Sequence, residues 1–258
     1  MNSNSRTAIL AFFPHTLSSV AILVFDIETS AFAAETLDAV QLEYLFRDAE
    51  RLPTEDERAV RRQELTRQMS LWPLTARVVC VAMLNLDSQR GQVLYQIGPG
   101  ETEGASGDPV RYVPCADEAA ILTAFWRAAL RFNRVVTFNG RGFDVPFLYL
   151  RSALLDLPIS RKDWLGYRFQ SEPHCDLAEQ LTFYGVSGRE GAARRFNLDF
   201  YCRAFGIESP KRQGVTGMDV DRLMSEGRYR DIAEYCARDV EATAQLYRVW
   251  QERLSGIR

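Results

Sequence analysis

A chain of 258 residues with 31 Lys and Arg against 34 Asp and Glu, 47% hydrophobic and 25% charged, has the composition of a soluble globular protein. Its apolar runs near the N-terminus, Ala8 to Phe13 and Val20 to Phe25, fall far short of the roughly 20 residues that cross a bilayer, which excludes a membrane role. A net charge of −3 excludes a uniformly basic nucleic-acid coat, since such binding neutralises phosphates with Lys and Arg, but it leaves room for a local basic groove.

The first 19 residues read as an N-terminal extension, and 20–252 as a single domain. The extension has one Arg, a short apolar run interrupted by Pro14 and no small-residue cleavage pattern, so no secretory leader is expected. From Val20 the run Val-Ala-Ile-Leu-Val-Phe is continuously apolar, as in a central strand buried on both faces, and is expected to end at Asp26-Ile27-Glu28-Thr29. Residues 34–70 read as a helical insertion broken at Leu52-Pro53-Thr54, with Thr54 capping a second helix from Glu55. Arg77 to Leu86 and Gly91 to Ile97, joined by the polar turn Asp87 to Arg90, predict a hairpin. A loop from Gly98 to Pro109 leads to a helix over Asp117 to Phe132 and a short strand over Val135 to Phe138. Asn139-Gly140-Arg141-Gly142 turns the chain into a helix with Pro146 in its first turn. The last third is mostly helical, with a long loop from Glu208 to Asp219 that carries Lys211 and Arg212.

Cys80, Cys115, Cys175, Cys202 and Cys236 are odd in number and never form a C-x-x-C pair, so neither a zinc site nor a disulfide framework is encoded and a reducing, cytoplasmic compartment is expected. His15 and His174 are the only histidines, too few for most Ser-His or Cys-His chemistry. Carboxylates remain. Asp26 and Glu28, at i and i+2 of a strand, point to the same side and would repel each other unless solvent or a hard cation intervenes. Asp144 closes the segment Asn139-Gly-Arg-Gly-Phe143-Asp144 between a strand end and a helix start, where α/β sheets place ligands; ordinary placement of an acid at a helix N-terminus would also account for it. Asp239 lies beside the apolar stripe Ile232, Cys236, Val240, Thr243, Tyr247 and Trp250, one turn after Tyr235, where a carboxylate is costly unless paired or bound to metal; an Arg or a backbone amide pairing Asp239, with Tyr235 as packing, would also account for it. Asp176-Leu-Ala-Glu179 reads instead as a capping box.

D-x-E on the first strand, N-x-x-x-F-D after a later one and Y-x-x-x-D on a late helix, in this order, resemble the DEDD superfamily of 3′-5′ exonucleases. The tyrosine subclass is the nearer: the position five before the final Asp, histidine in the other subclass, is Glu234 here, and Tyr235 stands four before. Tyr235 to Val240 and the segment from Phe205 to Lys211 resemble stand-alone bacterial exonucleases related to the proofreading domain of family B DNA polymerases. The likeness runs from Val20 to Trp250, with 34–70 as the main departure.

This resemblance implies an α/β, ribonuclease H-like fold: a mixed central sheet flanked by helices, carrying two divalent cations, Mg²⁺ or Mn²⁺. Asp26, Glu28 and Asp239 would hold one ion, with Asp26 bridging to a second that Asp144 reaches. Tyr235, with an ordinary pKa near 10, is a poor general base and is assigned to orienting the attacking water. Thr29 would meet the terminal 3′-hydroxyl, Asn139 would steady the substrate, Phe143 would stack on or wedge between the last bases, with core packing as its alternative role, and Lys211 and Arg212 are candidate phosphate contacts. The implied activity removes nucleoside 5′-monophosphates from nucleic acid 3′ ends, with single-stranded DNA as the favoured partner. A 3′-5′ exoribonuclease and a catalytically silent nucleic-acid-binding module of the same fold are the alternatives, because the acids do not choose the sugar.

Overall fold

The computed structural model describes residues 21–98, 109–167, 169–185, 191, 193–211 and 216–257. The N-terminal extension with His15, the interior of the 98–109 loop and Arg212 lie outside them. Six strands form one mixed sheet in the order β4-β3-β2-β1-β5-β6. Strand β1 (Ile22–Ala31) is central, antiparallel to β2 (Ala76–Asn85) on one side and parallel to β5 (Arg134–Thr137) on the other. The expected hairpin is β2 with β3 (Arg90–Gln96).

β1 does not end at Asp26 as the sequence predicts. It continues to Ala31, because Ile27 and Thr29 are good strand formers and because β2 supplies a partner along this whole length. The acids therefore sit inside a strand, and the pairing register slips between Glu28 and Thr29, a bulge beside the carboxylate pair.

Two short strands have no counterpart among the expected elements. β4 (Val110–Cys115) runs parallel to β3 at the sheet edge, where Pro114 is tolerated because an edge strand need not donate every N–H. β6 (His174–Asp176) extends the opposite edge from β5 and is too short to show a period.

The helices in chain order are α1 (Ala39–Glu50), α2 (Glu55–Gln68), α3 (Glu118–Ala129), α4 (Asp144–Leu154), α5 (Leu177–Gln180), α6 (Leu198–Ala204), α7 (Val220–Ser225) and α8 (Tyr229–Arg253). α1 and α2 make up the expected helical segment between 34 and 70, each opened by a capping box, Asp38 with Gln41 and Thr54 with Glu57. Among the described residues no helix is long and apolar enough to cross a membrane.

The alternation of β1 divides the core. Leu23, Phe25 and Ile27 pack with Ile121, Leu122 and Phe125 of α3 and Phe147 and Leu148 of α4. Ile22 and Val24 face the other way, with Ile232, Cys236, Val240 and Tyr247 of α8. Burying such side chains contributes about 1.5–3 kcal/mol each. The two-residue period then continues into Asp26 and Glu28, which turns both carboxylates toward α8. One alternation thus builds the core and delivers the acids.

Candidate active site

Side-chain ligand atoms of Asp26, Glu28 and Cys236 lie within 4.8 Å of one another. The Cys236 thiol donates to the Asp26 carbonyl at 3.5 Å and sits 3.8 Å from its Oδ2. Asp144, buried at the first turn of α4, reaches the same strand from the end of β5, where its Oδ1 accepts the Ile27 amide at 3.1 Å. Tyr235 and Asp239, one turn apart on α8, line an open cleft of about 510 Å³ with Asp26, Asn139 and Lys211. A cleft of this size is within the ordinary range for small-ligand pockets, ~300–1,000 Å³.

Among the described residues none of the ion pairs involves Asp26, Glu28, Asp144 or Asp239. Their electrostatics follow. Burial, then the charges of Asp144, Asp239 and Glu28, hold the Asp26 carboxyl well above the usual carboxylate range. Burial, with Asp239 and Asp144, does the same to Glu28. Asp144 is pushed up to about 7, mainly by burial, although its two backbone hydrogen bonds pull the other way. Asp239 is pushed up to about 6 by burial, against the downward pull of the Tyr235 hydroxyl and of Lys211 and Arg238. The Tyr235 phenol is driven far above its ordinary value by burial and then by Asp239, Glu28 and Asp26. Acids that repel one another in this way are groups that could hold a cation. Carboxylate oxygens are hard donors, the type that Mg²⁺ and Mn²⁺ take.

Two further sequence candidates lie at the cleft. Asn139 has a left-handed backbone, φ 70°, at the turn after β5. Inside this turn Gly140 has no substitute, because a Cβ there would stand 2.3 Å from the Thr137 hydroxyl. Lys211 is on the cleft wall. Thr29 and Phe143 do not line it. The Thr29 hydroxyl donates to the Ser70 carbonyl at 2.6 Å, tying β1 to the end of the inserted helices. Phe143 is half-buried at the N-cap of α4, its ring 5.5 Å from that of Phe147.

Asp176 corrects the capping-box reading. It does cap α5 through the Ala178 amide at 3.0 Å, but its two oxygens also accept the Asn139 amide at 2.8 Å and the Arg141 amide at 2.9 Å. Glu179 leaves the box open and pairs with Arg141 at 3.5 Å. Asp176 therefore holds the turn that presents Asn139. No local spacing reveals this, since the contacts span more than 30 residues. Arg195 and Phe196 also line the cleft, and their signal in the sequence is the basic pair Arg194-Arg195 beside an aromatic.

Residues 72–255 match a family described as predicted 3′-5′ exonucleases related to the exonuclease domain of PolB. The chain belongs to this family. The match contains Asp144, Tyr235 and Asp239 but begins after the inserted helices, so Asp26 and Glu28 join the site through the fold and not through the matched segment. DNA polymerase 1 of Saccharolobus solfataricus is 30% identical over 138 residues, 50% of this chain and 15% of that protein. DNA polymerase 1 of Aeropyrum pernix is 26% identical over 185 residues, 67% of this chain and 18% of that protein. The chain thus spans less than a fifth of the length of these relatives. The family B DNA polymerase of the hyperthermophilic archaeon Pyrobaculum calidifontis superimposes with a TM-score of 0.52 at 18% identity, covering 93% of this chain and 25% of its own. The fold is therefore the ribonuclease H-like one that the motifs implied.

Proposed function

We propose that this chain is a metal-dependent 3′-5′ exonuclease that releases nucleoside 5′-monophosphates from the end of a nucleic acid strand, single-stranded DNA foremost. The observation that carries this reading is the convergence of Asp26, Glu28, Asp144 and Asp239, whose charges act on one another and which form no ion pair among the described residues. Asp26, Glu28 and Asp239 would hold one divalent cation, and Asp26 with Asp144 a second. Such ions, when bound, supply charge stabilisation and a nucleophile at neutral pH.

The chain's own groups do the positioning. Tyr235, buried among carboxylates, keeps its phenolic proton and cannot act as a general base, so it orients the attacking water by hydrogen bond. The water gives up a proton to solvent as its oxygen bonds to the last phosphorus, the bond from phosphorus to the 3′-oxygen breaks, and that oxygen takes a proton from solvent. Asn139 and Lys211 stand on the cleft wall to steady the terminal nucleotide and its phosphate. Asp176 sets the position of Asn139 through the backbone.

Digestion of matched 5′-labelled DNA and RNA oligonucleotides with Mn²⁺, and with EDTA, tests this. A ladder shortening from the 3′ end is expected with Mn²⁺ and none with EDTA. Asp239→Ala should lower the rate about a thousandfold or more. Tyr235→Phe should lower kcat about a hundredfold while Mn²⁺ affinity holds. Immediate release of the labelled 5′ nucleotide, or an Asp239→Ala variant as active as wild type, overturns the proposal.

A further inference from the structure

A cluster of uncompensated acids repels the polyanion that the proposed reaction must bring to it. Something beside the cluster has to carry the strand. Among the described residues the cationic side chains on the cleft wall are Lys211 and Arg195. Lys211 already acts on Asp239, whose carboxyl it pulls down. Arg195 is exposed and donates to the side-chain oxygen of Asn139, so a guanidinium from the segment before α6 spans the cleft to the turn after β5.

The next residue, Phe196, lines the same cleft and stacks face to face on Phe200, with ring centroids 4.2 Å apart and planes 11° from parallel. Arg194 lies 5.2 Å from the Phe196 centroid. Phe196 has a structural use: preceding the Asn197 cap of α6, it meets Tyr201 edge-on at 6.2 Å, in the manner of a hydrophobic staple. Phe200 has none of that kind. It is 52% exposed, and its second face is not needed by the core. A half-buried and an exposed aromatic stacked beside arginines, at an acid cleft, have the composition of a single-strand binding surface.

Building on the exonuclease reading, we infer that Arg195 and the Phe196–Phe200 pair form a guide track for the nucleotides preceding the scissile bond. The guanidinium leaves Asn139 for two oxygens of one phosphodiester, a planar pairing that lysine cannot reproduce. A base stacks on the open face of Phe200. Both contacts ignore base identity, as digestion nucleotide by nucleotide requires.

Steady-state kinetics on eight-nucleotide oligo-thymidylate and oligo-uridylate with Mn²⁺ test the track. Arg195→Ala is expected to raise KM about tenfold with kcat within about twofold, and to lower the slope of log KM against log salt by about 0.7. Phe200→Ala should raise KM about tenfold without changing that slope. Arg195→Lys should recover only part of the loss, and Arg248→Ala, an exposed change on α8 away from the cleft wall, should match wild type. Phe200 is exposed, so its variant should keep the wild-type melting temperature and report on binding alone. Wild-type KM values for both Arg195→Ala and Phe200→Ala, or losses confined to kcat, overturn the track and leave the exonuclease reading intact. A wild-type protein that digests neither oligonucleotide sinks both.

Discussion

Glu118, at the first turn of α3, meets Arg151 of α4 through contacts of 2.9 and 2.7 Å and accepts the Val78 amide at 2.8 Å, while among the described residues Asp26, Glu28, Asp144 and Asp239 form no ion pair and only Asp239 feels a cationic pull, from Lys211 and Arg238. Glu118, Glu28 and Asp144 are buried, and Asp26 and Asp239 are half-buried at the cleft. At Glu118 the charge is answered by an opposite charge and a backbone donor, and the cluster serves to join α3, α4 and β2. Around Asp26 the same fold sets acid beside acid, and burial and mutual repulsion raise the pKa of each. The difference separates an acid answered by an opposite charge from acids that answer one another, and the proposed function rests on the second kind.

Neutralising one acid at each place should therefore have opposite effects on the metal-free protein. Glu118→Gln strands the buried Arg151 charge and should lower unfolding free energy by about 3–5 kcal/mol. Asp26→Asn removes a repelling charge and should raise it by roughly 1 kcal/mol. Urea unfolding in EDTA reads both. Destabilisation by Asp26→Asn would mean that the cluster is held together by something other than an absent cation, and the contrast would fail.

The pH profile sharpens the same contrast at somewhat smaller amplitude. A carboxyl that binds its proton more tightly in the folded chain contributes stability that is complete below its unfolded pKa and is lost as pH rises through its folded one. For Asp239 and Asp144 the ordinary value is 3.8 and the folded values are about 6 and about 7. The metal-free protein should accordingly lose stability, on the order of a few kcal/mol in all, between about pH 4 and pH 7. Saturating Mn²⁺ should remove most of this slope. Asp144→Asn, which keeps an oxygen for the Ile27 amide, should flatten it in EDTA, and urea midpoints across that range for the two proteins would show it. A profile unchanged by Asp144→Asn would detach the slope from the cluster.

Much of this site was legible in the sequence because its parts are written in short periods. Asp26 and Glu28 share a face through the period of a strand, and Tyr235 and Asp239 through the pitch of a helix. The main sheet strands, the inserted helices with the Thr54 cap, and α8 were legible for the same reason. Other features depend on contacts made only in the folded chain. β1 runs past Asp26 because β2 is there to pair with it. β6 exists only as an addition to β5. Thr29 is drawn to Ser70 by the docking of the insertion, and Asp176 is claimed by amides far away in sequence. Arg195 is marked in the sequence only by its neighbours Arg194 and Phe196, and its place on the cleft wall is visible only in the fold.

Asp176 adds a third case between the two extremes. It is 1% exposed and its oxygens are taken by the amides of Asn139, Arg141 and Ala178, so the charge is met by dipoles instead of by a cation. Asp176→Asn retains one carbonyl oxygen but turns an NH2 toward a donor that had an acceptor. The expected cost is about 1–3 kcal/mol, less than that of Glu118→Gln because no full charge is left stranded. The loss should be local as well as global: faster hydrogen exchange at the Asn139 and Arg141 amides, and a several-fold fall in kcat/KM as Asn139 loses its fixed place on the cleft. Stability and exchange that stay at wild-type values would show that the turn is held by Gly140 packing on Thr137 alone, and Asp176 would then belong with the caps instead of with the site.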